Sequence, residues 1–240
     1  MVLKAETPIY HIEGVPLVPI GSLAFVPEYS FIQGLSWYHE TVGERRPEFP
    51  LWSWTGWTVQ LVDKVILNPR WSRGPYDLSI RIEYENEIIR DFPKQNEWQD
   101  FLSKIANIRV KFLHIKGQTV KCTILRAANE VGVAYLRHDE EYLLKFQIEK
   151  NTAFYAPLRL DLDGSQNERK PLECICLSRY ERFPAMLLIA TNTDGVKERV
   201  GCMDTYHIYY MQDGMRFYRD PEVYLAMLKK KLQLQTIRLG

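Results

Sequence analysis

Several residue groups have types and spacings that could do chemistry. Asp161-Leu162-Asp163-Gly164 offers two carboxylates to a hard cation such as calcium. An EF-hand loop needs glycine at its sixth position and a bidentate glutamate at its twelfth. Counted from Asp161, those positions are Gln166 and Leu172, so the run reads as a strand ending in a turn. Cys174 and Cys176 lie two apart on an expected strand, so both thiols face one side and could give a metal two ligands. No second pair follows at zinc-like spacing, and Cys122 and Cys202 are isolated, so packing as small apolar residues is expected. His11, His39, His114, His138 and His207 form no paired ligand motif. Carboxylates follow His39 (Glu40) and His138 (Asp139, Glu140, Glu141), and a surface turn accounts for the second group. There is no GxSxG elbow and no glycine-rich phosphate loop. Ser30, Ser103 and Ser178 have no local partner that marks a nucleophile. The expectation is a non-enzyme with no catalytic residue, metal ligand or cofactor. The alternative is a ligand-binding or hydrolytic β barrel whose site is assembled from distant residues.

The elements that would position such groups are mostly strands. From residue 108 to 215 short apolar runs alternate with turn signals. Val110 to Ile115, Lys116-Gly117 and Thr119 to Leu125 read as a hairpin. In Tyr142 to Glu149, Leu144, Phe146 and Ile148 share one face. Leu158, Leu160 and Leu162 alternate with charged residues. Asp194-Gly195 and Asp213-Gly214 each separate two apolar runs and read as hairpin turns. A helix is expected over 97–105, with Asn96 as cap and Trp98, Phe101, Leu102 and Ile105 on one face. A second is expected over 221–232, opened by Asp220 and Pro221, and residues 236–240 could return as a strand. The fold class is mainly β (α+β): an antiparallel sandwich or partly closed barrel with two or three peripheral helices. Residues 1–50 carry six prolines among many apolar residues and read as an extended arm packed on the β-rich domain of 51–240.

Composition sets the outer limits. The 240 residues are 46% hydrophobic and 12% aromatic, enough for a sizeable core and weighted toward strands. Net charge is +1, which argues against a nucleic-acid or membrane-surface role. The dense basic run Lys229-Lys230-Lys231 complements the end of the expected helix. The N-terminal stretch has no basic region followed by an apolar one, so a reducing, cytoplasmic setting with free thiols is expected.

The distinctive run is Trp52-Ser53-Trp54-Thr55-Gly56-Trp57. Strand alternation would put Trp52 and Trp54 on one face and Ser53 and Thr55 on the other. Gly56 allows a bulge or a close backbone approach. Arg45-Arg46 upstream could stack on an indole or simply be exposed before Pro47. A structural anchor is favoured over a ligand platform.

The stretch from Phe31-Ile32-Gln33-Gly34-Leu35 through Arg45-Arg46 to Phe49-Pro50-Leu51-Trp52-Ser53-Trp54-Thr55-Gly56-Trp57 resembles the segment after the HET domain in fungal heterokaryon-incompatibility proteins. That family usually has F-P-S-W-S-W-A-G-W; here Leu51 replaces the serine and Thr55 the alanine. Glu173-Cys174-Ile175-Cys176-Leu177-Ser178, the stretch Gly195 to Gly201 with its Arg199-Val200-Gly201, and Ile237-Arg238-Leu239-Gly240 are similar to later parts of the same region. The resemblance spans residues 20–240. It implies Arg45, Arg46, Pro50, Trp52, Trp54, Gly56 and Trp57 as a structural motif. It also implies a regulatory or recognition role in self/non-self discrimination and programmed cell death. The HET domain itself, which carries the family's death-signalling activity, is not in this chain. The implied partner is therefore a HET-type effector domain or another protein.

Overall fold

A computed structural model describes residues 10–17, 27–37, 44–58, 78–105, 109–126, 142–161, 171–179, 184–203, 209–212, 215–217 and 226–240. Strands dominate. The long strand β5 (Val110–Arg126) is followed by β6 (Tyr142–Glu149), β7 (Thr152–Leu160), β8 (Pro171–Arg179), β9 (Pro184–Thr191) and β10 (Lys197–Met203). Each pairs antiparallel with its neighbour in the order β5-β6-β7-β10-β9-β8, and β8 pairs back onto β5, which closes a six-stranded barrel. The mainly β expectation holds, and closure is complete where a sandwich or partly closed barrel was expected. Closure leaves these six strands no free edge between them.

The turn expected at Lys116-Gly117 does not exist: β5 runs straight through it for 17 residues. Gly117 is a packing residue, and a Cβ there would sit 3.2 Å from Ile175 Cδ1. Continuity lets β5 change neighbours along its length. Its first half pairs with β3 (Ser79–Tyr84) and β13 (Gln233–Leu239), its second half with β8 and β6. The pleat also changes its environment. Val120, Cys122 and Ile124 point into the barrel, while Leu113 and Ile115 face a second core outside it.

That second core explains why β8 and β9 read as unbroken apolar runs. Cys174, Cys176, Met186 and Leu188 fill the barrel, and Ile175, Leu177, Leu187 and Ile189 point outward into another buried cluster. Strands buried on both faces lose the apolar-polar alternation of a half-exposed sheet. The outer cluster is roofed by the N-terminal residues, which are not simply extended. β1 (Tyr10–Ile12) and β2 (Val15–Leu17) form a hairpin, and α1 (Pro27–Gly34) is a helix. Proline at the first helical position starts a helix instead of breaking one, since its missing N–H has no intrahelical partner there. Glu13 and Gly14 take φ of 46° and 80° and make the hairpin turn. Ile12, Val15, Leu17, Phe31, Ile32 and Leu35 are all buried in the outer cluster.

The remaining elements extend this frame. β3 pairs with β4 (Ile89–Asp91), a hairpin absent from the sequence reading although Ile80, Ile82 and Tyr84 alternate. The helix α2 (Trp98–Ile105) follows a 3-10 turn, Gln95–Glu97. Asn96, expected as the cap of this helix, lies inside that turn; the cap of the turn is Lys94, whose N–H donates to the Glu97 carboxylate at 3.1 Å. β13 returns at the C-terminus as expected. β11 (Tyr209–Gln212) and β12 (Met215–Phe217) form the later hairpin, whose Asp213-Gly214 turn lies outside the described residues. Of the second expected helix, residues 226–229 are described and helical, and Leu228 packs into the barrel interior. Among the described residues, no helix is long and apolar enough to cross a membrane.

Candidate functional site

The tryptophan run is not a strand. Residues 54–56 form a 3-10 turn, so Trp52 and Ser53 are both buried instead of facing opposite sides. The chain turns because the Ser53 hydroxyl is engaged locally: it lies 2.7 Å from Thr55 Oγ1 and accepts the Thr55 N–H at 3.2 Å. Ser53 also donates to the Glu13 carbonyl, which ties the turn to the β1-β2 hairpin. Trp52 lies edge-on to Phe31, with centroids 6.0 Å apart, and its indole N–H has no hydrogen-bond partner among the described residues. The side chain of Trp54 lies outside the described residues.

Arg45 and Arg46 have different fates. Arg45 is half-buried over the Trp57 ring, 5.7 Å from its centroid. It donates to the carbonyls of Gly56 at 3.0 Å, Arg46 and Phe49. Burial pushes its pKa below the ordinary arginine value, against the pull of Glu48 and Glu198. Arg46 is exposed and, among the described residues, its side chain reaches only the Thr55 carbonyl, at 3.4 Å. Gly56 is needed for close approach: a Cβ there would stand 2.7 Å from Arg45 Nη1 and 3.1 Å from the Pro50 carbonyl oxygen.

Two stretches distant in sequence, 35–57 and 195–201, meet in space. Arg199 of β10 points out of the barrel, fully buried, between Asp161 and the N-terminal segment. Its Nε lies 2.6 Å from Asp161 Oδ2, Nη1 donates to the Leu35 carbonyl at 2.6 Å, and Nη2 donates to the Trp37 carbonyl. The guanidinium stacks on the Trp37 ring at 3.5 Å from its centroid. Trp37 donates its indole N–H to the Trp52 carbonyl at 3.2 Å and lies edge-on to Trp57. One chain of contacts thus runs from Asp161 through Arg199 and Trp37 to the tryptophan turn. Asp161, weighed in the sequence as a calcium ligand, is the anion of a buried ion pair instead.

A second polar cluster bridges three strands. Glu83 on β3 accepts two hydrogen bonds from Arg238 on β13, at 2.7 and 3.0 Å, and lies 2.6 Å from His114 Nε2 on β5. Arg238 holds the Glu83 carboxyl down at about 2, with help from His114 and against burial. The carboxylate is therefore ionised and His114 Nε2–H donates. No local pattern marks this cluster, because its members are 31 and 155 residues apart.

The cysteines are all buried free thiols. Cys122 and Cys174 touch at 3.5 Å inside the barrel. Burial pushes the Cys176 thiol up to about 12 and raises Cys174 well above the ordinary value. Such thiols are poor nucleophiles, and Cys174 and Cys176 pack as apolar residues on one strand face, as expected. Among the described residues, no group of three or more His, Cys, Asp or Glu side chains could hold a metal ion.

The chain matches no protein-family model, no curated protein and no solved structure.

Proposed function

We propose that this chain is a non-enzymatic regulatory or recognition module similar to the C-terminal region of fungal heterokaryon-incompatibility proteins. It serves self/non-self recognition and programmed cell death in the cytoplasm, through a partner that carries the effector activity. The observation that supports this most is the convergence around Arg199. Phe31, Leu35, Arg45, Trp52, Trp57 and Arg199 form one interlocked unit, although 164 residues separate Leu35 from Arg199. A motif spread so widely keeps its residues together when they share one structural task. The rival, a ligand-binding or hydrolytic barrel, needs a cavity with converging titratable groups. The described barrel interior carries leucines, phenylalanines and the buried thiols of Cys122, Cys174 and Cys176, which favours the non-enzymatic reading.

Expression of the chain alone in a filamentous fungus tests the proposal. Viable transformants at wild-type frequency are expected, and robust cell death would overturn it.

A further inference from the structure

We draw no further inference here: the strongest candidate, the unpaired β4 edge with the groove between β4 and α2, carries nothing, because Arg81 opposite Asp91, Lys94 beside Glu97 and Arg109 beside Glu85 balance its acids and nothing in the structure shows what covers it.

Discussion

Arg199 and Asp161 form an ion pair with neither side chain exposed, and the same guanidinium holds two carbonyls of the N-terminal segment. Removing one partner leaves the other charge buried and uncompensated, so Asp161→Asn and Arg199→Met should each destabilise the fold by about 3–5 kcal/mol. The double variant should lose less than the sum, because no lone charge remains. Urea titration followed by tryptophan fluorescence measures all three. A loss under 1 kcal/mol in both single variants would show that the pair does not lock the segment to the barrel.

Arg45 and Arg46 are neighbours with opposite roles, and their alanine variants should differ accordingly. Arg45→Ala removes hydrogen bonds to three carbonyls and the stack on Trp57, so a loss of about 2 kcal/mol is expected. Arg46→Ala removes an exposed side chain with one long contact, and its effect should lie within ~0.5 kcal/mol of zero. Thermal melts of the two proteins side by side give the comparison. Equal losses would contradict the assignment of Arg45 as the half-buried, bonded member of the pair.

Gly201 and Gly195 separate two reasons for glycine. At Gly201 an added Cβ would collide with the Arg159 backbone carbonyl of β7, which cannot swing aside as a side chain can. Gly201→Ala should therefore cost about 3 kcal/mol or more, or prevent folding, as overpacking against rigid backbone does. At Gly195 nothing lies within 4 Å, but φ is +77°. Gly195→Ala should cost only the left-handed backbone penalty, about 1–2 kcal/mol. Soluble yield and melting temperature of both variants test the order, and a milder effect at Gly201 than at Gly195 would refute it.

The parts legible in the sequence were those fixed by local pattern. Leu144, Phe146 and Ile148 do share the barrel-facing side of β6, and Asn192 to Val196 does turn between β9 and β10 around Gly195. What failed were inferences from punctuation. Lys116-Gly117 looks like a turn because glycine often breaks strands, yet Gly117 is there to admit Ile175 and Leu78. Pro27 looks like an interruption and instead opens a helix. Trp52 and Ser53 look like opposite faces of a strand, but the Ser53 hydroxyl engages Thr55 and Glu13 and folds the run into a 3-10 turn. The Arg199 junction was hidden for another reason. Arg199 looks like a surface charge in Lys197-Glu198-Arg199, and only the closed barrel under the N-terminal segment makes its position buried on both sides. The Glu83 cluster likewise needs three strands in register before it exists.

The Glu83 cluster gives the protein an acid-sensitive contact. The Glu83 carboxyl moves from an ordinary 4.5 down to about 2 because Arg238 and His114 hold its ionised form. A carboxyl whose pKa is lower folded than unfolded stabilises the fold fully above the unfolded value. That stabilisation falls away as pH drops from about 4.5 to about 2. Its size is limited because the Arg238 side chain is 41% exposed and solvent screens the pair, so about 1–2 kcal/mol is expected. Urea stability measured from pH 6 to pH 2 should decline across that window in the wild type and more shallowly in Glu83→Gln, which keeps the shape and cannot titrate. At pH 6 the variant should already be weaker by the same amount, and the two curves should converge near pH 2. Parallel curves across the whole range would place the acid sensitivity in other carboxylates and leave the β3-β5-β13 bridge without a titrating role.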